Sequence, residues 1–122
     1  MSKRTVIIGA TPNPEKYAWI AADFLQSAGH PFIPLGISKG EVLGHEIVDL
    51  SGKPAISDVD TVTLYIGPHR QPEYYQYILS LKPRRIIFNP GTENLEFQQL
   101  ARQAGIEPVV ACTLVMLRTG QY

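Results

Sequence analysis

The chain has 122 residues, of which 44% are hydrophobic and 18% charged. That length and mixture suit one compact domain, 1–122, and exclude both a disordered chain and two ordinary domains. Eleven Lys and Arg balance eleven Asp and Glu, which argues against a nucleic-acid binder, and no apolar run reaches the ~20 residues of a membrane span.

Thr5-Val6-Ile7-Ile8-Gly9 is a continuous apolar run that stops at a turn. Such a run predicts a strand buried on both faces, as in a parallel sheet. Asn13-Pro14 reads as an N-cap followed by proline at the first helical position. Tyr17, Ile20, Ala21, Phe24, Leu25 and Ala28 then recur at helical spacing, and Gly29 closes the helix. Phe32-Ile33-Pro34-Leu35 is the second strand, with a proline that suits a strand end or an irregular edge. Residues 36–60 are less regular, with a short edge strand at Glu46–Leu50 and a turn at Ser51–Pro54. Thr61–Ile66 is a β-branched strand ending in Gly67-Pro68. Pro72 opens a second helix, with Tyr74, Tyr77, Ile78 and Leu81 on one face. Arg85–Phe88 is a strand, Asn89–Thr92 a turn, and a third helix runs from about Asn94 to Ala104. Pro108–Ala111 is the last strand, followed by a short helix over Cys112–Arg118.

Strands alternate with helical crossovers, which predicts a doubly wound α/β fold with a mainly parallel sheet and helices on both faces. Ligands in such sheets lie beyond the carboxyl ends of the strands, where the winding reverses. If the first strand lies between those at 32–35 and 61–66, the loops Gly9–Lys16 and Gly67–Pro72 frame that crevice. The residues after Leu35 and the loop 89–94 lie along the same rim.

Gly9 allows a tight turn and close approach of a ligand, so Gly9→Val is expected to damage binding more than folding. Loop amides and a helix N-terminus favour an anion, and Lys16 and Thr11 add to that. One glycine is neither a dinucleotide fingerprint nor a Walker A loop. A NAD site calls for an acid after the second strand, where this chain has Gly36-Ile37-Ser38-Lys39. Lys16, Lys39 and Arg70 fall on the ligand rim, whereas Lys82, Arg84 and Arg85 belong to the opposite, solvated edge. Asn89 and Thr92 offer hydrogen bonds from the rim.

His30, His45 and His69 lack metal-ligand spacing, and no nucleophile, base and acid stand in catalytic order. No catalytic residue is therefore assigned. Cys112 reads as a buried, inert thiol. A single cysteine and an opening, Met1-Ser2-Lys3-Arg4, that passes straight into a strand point to a reducing cytoplasm. Trp19 and Tyr75 fall off the apolar stripes of their helices and suggest a homodimer interface.

Val6-Ile7-Ile8-Gly9-Ala10-Thr11-Pro12, followed by Pro14 and Lys16, resembles the opening of small single-domain CoA-binding proteins. These are relatives of the CoA-binding domain in the succinyl-CoA synthetase alpha subunit. Gly40–Gly44, Asp60-Thr61-Val62 and Ala104-Gly105-Ile106 are similar to the same family, and the resemblance spans nearly the whole chain. It implies a Rossmann-like fold that holds coenzyme A or an acyl-CoA at its rim loops. Carried over residue by residue, it marks Gly9, Ala10, Thr11 and Lys16. With the rim reading, the candidate site becomes Gly9, Ala10, Thr11, Pro12, Lys16, Gly36, Lys39, Gly67, Pro68, Arg70 and Asn89. Leu35-Gly36-Ile37 stands where many members have an Asn-Pro pair. The rival readings are a nucleotide-dependent oxidoreductase or transferase and a ligand-free interaction module.

Overall fold

The computed structural model describes residues 2–122. Six parallel strands form one sheet in the order β5-β2-β1-β6-β7-β8. They are β1 (Thr5–Ile8), β2 (Phe32–Gly36), β5 (Val48–Asp49), β6 (Thr61–Leu64), β7 (Arg85–Phe88) and β8 (Glu107–Val110). The helices are α1 (Tyr17–Ser27), α2 (Tyr75–Ser80), α3 (Leu95–Gln103) and α4 (Thr113–Arg118). No described helix is long and apolar enough to cross a membrane.

Alternation along each strand divides the core. Val6, Ile8, Val62, Leu64, Ile86 and Phe88 face the side covered by Tyr77 and Ile78 of α2 and Phe97 and Ala101 of α3. Ile7, Phe32 and Ile87 face the other side, covered by Ala18, Ala22 and Leu25 of α1 and Met116 and Leu117 of α4. The central strands are buried on both faces, which is why they read as unbroken apolar runs.

Two local expectations are corrected, one is met and one element is new. Asn13 does not cap α1: its Oδ1 accepts from the Glu15 N–H at 2.9 Å, and the helix begins at Tyr17 with Lys16 at the N-cap. The inward face of α1 is Ala18, Ala21, Ala22 and Leu25, while Tyr17 is 71% exposed and Ala28 is exposed. Small residues let α1 approach the sheet and α4 closely. Pro34 lies within a strand flanked on both sides, but β5 pairs only with Leu35 and Gly36, so the proline sits beyond the end of that short ladder. Finally, residues 41–46 form an antiparallel hairpin of β3 (Glu41–Val42) and β4 (His45–Glu46), absent from the sequence reading.

Both aromatics behind the homodimer expectation are engaged within the chain. Trp19 packs, partly buried, against the α1–α4 half of the core. Tyr75 is buried, lies 4.5 Å from the Phe97 ring centroid to centroid, and donates its hydroxyl to Glu96.

At the amino ends of the strands, Arg84 pairs with Asp60 at 3.4 Å. Arg85 is half-buried rather than solvated. It donates to the Thr61 hydroxyl and its guanidinium lies 4.4 Å from the centre of the Tyr122 ring. This edge is occupied by the chain's own side chains.

Candidate functional site

The chain winds from β1 outward to β2 and β5, and from β6 outward to β7 and β8. The reversal therefore falls between β1 and β6, where the connections leave in opposite directions and open a crevice. Gly9 follows β1 and Tyr65 follows β6, so both lie at that point.

The crevice has two connected recesses. The larger, about 390 Å³, includes Gly9, Thr11, Lys16, Gly67, Gly91 and Thr92 in its wall. The smaller, about 190 Å³, includes Ala10, Gly36, Ile37, Ser38, Leu50 and Arg70. They share Gly9, Thr11, Tyr65 and Ile66. Among the described residues, two cations, Lys16 and Arg70, and no carboxylate line the pair.

The N-terminus of α1 opens into the larger recess. No side chain caps it and no acid stands in its first turn. The first N–H groups of a helix have no intrahelical partner, and the helix dipole adds partial positive charge there. Lys16 at the N-cap reinforces it. The contrast with α3 is direct, because Asn94 Oδ1 caps the Phe97 N–H and Glu96 lies in the first turn. The Thr11 hydroxyl accepts from the Asn13 N–H at 3.2 Å, which leaves its own hydrogen to donate.

The glycines act on the chain's own backbone. Gly9 has φ +99°, and a Cβ there would stand 2.8 Å from the Tyr65 carbonyl oxygen. A Cβ on Gly36 would stand 2.4 Å from the Ala10 carbonyl oxygen. The Gly9 and Ala10 N–H groups both donate to the Leu35 carbonyl at 2.9 Å. Neighbouring strand ends thus close on one another, which turns the expectation for Gly9→Val from damage mainly to binding into damage to the fold as well. Gly91, at φ +92°, has open space where a Cβ would be.

Asn89 also changes role. It is buried, and its Nδ2 donates to Thr63 Oγ1 at 2.7 Å and to the Leu64 carbonyl at 2.8 Å. Its Oδ1 accepts from the Thr113 N–H at 2.9 Å. Both amide hydrogens are committed, so Asn89 ties β6, β7 and α4 together instead of presenting a donor to the rim.

Pro12, Lys39 and Pro68 are exposed beside the crevice and line neither recess. The loop after β2 carries no acid, but β5 brings Asp49 into register with Gly36. That carboxylate accepts from the Ser51 N–H and hydroxyl, which hold its pKa below the usual range and turn it to its own turn.

Sequence reading passed over Gln71. It is fully buried, and its Nε2 donates to the carbonyls of Ile66 at 3.1 Å and Thr92 at 2.8 Å. Its Oε1 accepts from Asn94. One side chain therefore braces the two rim loops on the β6–β7 side. A buried Gln before Pro72 has no distinguishing signal in the sequence. Tyr65 was likewise read only as strand. Its hydroxyl is buried near Thr63 and Thr113 without a well-formed hydrogen bond, and burial pushes its pKa up to about 12.

Cys112 is half-buried, not buried, and lies in the wall of a third recess with Tyr17, Tyr65, Asn89 and Pro90. No group of three His, Cys, Asp or Glu among the described residues is arranged to hold a metal ion.

A parallel, doubly wound sheet with an open crevice at its reversal point defines a Rossmann-like α/β domain. Residues 3–118 match the CoA binding domain family, and the chain belongs to it. A crystal structure of an uncharacterized protein is similar over 100% of this chain and 99% of its own, with 56% identity and a TM-score of 0.97. A hypothetical protein from Pyrococcus horikoshii is 26% identical, with a TM-score of 0.82 over 97% of this chain and 83% of that one. A Thermus thermophilus structure, 22% identical with a TM-score of 0.82 over 99% and 91% of the two chains, shares the fold. No curated protein matches the chain.

Proposed function

We propose that the protein binds coenzyme A along this crevice and performs no chemistry on it. The observation that carries the reading is the lining itself. An uncapped helix N-terminus and two cations face a space with no carboxylate in its wall. That set suits a ligand with several phosphates, which are favoured by helix N-termini and by charge-assisted hydrogen bonds. It suits NAD less well, since NAD sites typically place an acid on the ribose hydroxyls. Membership of the CoA binding domain family supports coenzyme A within that class.

In this reading Lys16, Thr11 and the first amides of α1 hold the pyrophosphate. Arg70, beside Ile37, Ser38 and Leu50, serves the nucleoside end. The pantetheine arm runs past Gly91 and Thr92.

Lys16→Ala is expected to weaken coenzyme A about fivefold at low salt, with a smaller loss at high salt, because an exposed contact is screened. Lys39→Ala is expected to cost less, since Lys39 does not line the crevice. Arg84→Ala, at the far edge, serves as control. Calorimetric titrations of coenzyme A, dephospho-coenzyme A, NAD and ATP test the assignment. Coenzyme A is expected to bind tightest. Equal binding of coenzyme A and NAD, or an equal loss in Lys16→Ala and Arg84→Ala, would contradict it.

A further inference from the structure

The recess at Cys112 is separate from the phosphate-binding wall yet continuous with it. It shares Tyr17, Tyr65 and Pro90 with the larger part of the crevice. Its volume is about 230 Å³. At the ~30 Å³ that a water occupies in the liquid, it has room for roughly seven heavy atoms.

The chemistry of its wall is restrictive. No charged side chain lines it. Both amide hydrogens of Asn89 are spent inside the fold, and the Tyr65 hydroxyl is buried near Thr63 and Thr113. What remains is aromatic ring, proline, the Cys112 thiol and the phenol of exposed Tyr17, a wall that is mostly contact surface. Tyr17 stands 71% exposed at the junction with the main crevice, a large ring that a ligand would cover.

We propose that this side recess takes the acyl group of a short, uncharged thioester, so that the protein prefers a short acyl-coenzyme A to the free thiol. The proposal rests on the coenzyme A reading of the crevice and adds the class of acyl group. A butyryl thioester brings about six heavy atoms (four carbons, the carbonyl oxygen and the sulfur) and fits that space, whereas a ten-carbon chain overruns it. A terminal carboxylate finds no cation in this wall, only the weak thiol donor of Cys112 and the phenol of exposed Tyr17.

The test is a set of titrations with coenzyme A, butyryl-, decanoyl- and succinyl-coenzyme A. Butyryl-coenzyme A is expected to bind about tenfold tighter than coenzyme A, as burial of two or so methylene groups would give. The decanoyl and succinyl forms are expected to bind no tighter than coenzyme A. Cys112→Leu, which narrows the recess, brings the butyryl-to-free ratio towards one. Tyr17→Ala, on an exposed side chain and so safe for folding, lowers the same ratio by opening the wall. Equal affinity for butyryl-coenzyme A and coenzyme A in the wild type would overturn this inference and leave the crevice reading standing. An unaltered ratio in folded Tyr17→Ala would also overturn it. Failure of all four ligands to bind would overturn both.

Discussion

Gly9→Val is expected to unfold the protein or leave it barely folded, losing about 4 kcal/mol. Two costs combine. A β-branched residue at φ +99° is strained by roughly 1–3 kcal/mol. Its Cβ would also press on the Tyr65 carbonyl at 2.8 Å and on the Ile66 side chain at 3.0 Å, and overpacking of that kind costs about 1–3 kcal/mol more. Against a typical domain stability of about 5–15 kcal/mol, the sum is severe. Gly91→Ala is the comparator, because Gly91 shares the positive φ and has free space around it. It is expected to lose only about 1 kcal/mol, from backbone strain alone. Urea unfolding of the two variants separates the terms, and a wild-type midpoint for Gly9→Val would show that β1 and β6 do not close on each other as described.

Asn89→Ala is expected to cost about 3 kcal/mol. The substitution leaves the Leu64 carbonyl and the Thr113 N–H without their Asn89 partners in a buried setting, and each such group costs about 1–3 kcal/mol. The Thr63 hydroxyl keeps its bond to Thr113 Oγ1 at 2.8 Å, so it adds less. Thr113 begins α4, and the loss therefore falls hardest there. Amide exchange over Thr113–Arg118 is expected to accelerate more than exchange over α1. Uniform acceleration across the chain would mean that Asn89 does not anchor α4 in particular.

The strands were legible because burial on both faces leaves a run of branched apolar residues, and Thr5–Ile8, Thr61–Leu64 and Arg85–Phe88 all carry one. The place of the crevice rested on the condition that the first strand lies between those at 32–35 and 61–66, and the sheet has that order. The hairpin at 41–46 was not legible. Its strands have two residues each, and its turn is Leu43-Gly44 with both φ values positive, where Asn-Gly or Asp-Gly would have announced it. The start of α1 was misplaced because Asn13 and Pro14 look the same in an Asx turn as in a cap. The inward face carries Ala18 and Ala22, whose small size hides it from a search for large apolar residues, in place of Tyr17 and Ala28.

In the site, charge was easier to read than contact. Lys16, Lys39 and Arg70 were placed on the rim by loop position; Lys16 and Arg70 line the recesses and Lys39 does not. Asn89 and Gln71 depend on partners 21 to 26 residues away, through bonds that no local pattern encodes. Gly9 illustrates the same limit. Its positive φ suits a turn glycine, but the Tyr65 carbonyl that forbids a side chain arrives from another strand.

The most direct test of the central claim is an amide correlation spectrum of the labelled protein as coenzyme A is added. Binding along the crevice is expected to move the resonances of Gly9, Thr11, Tyr17, Ala18, Gly67 and Gly91, and to leave those of Lys3, Arg84 and Glu107 at the other end of the sheet in place. A spectrum unchanged at saturating coenzyme A, or one that moves at Lys3, Arg84 and Glu107 instead, would contradict the account.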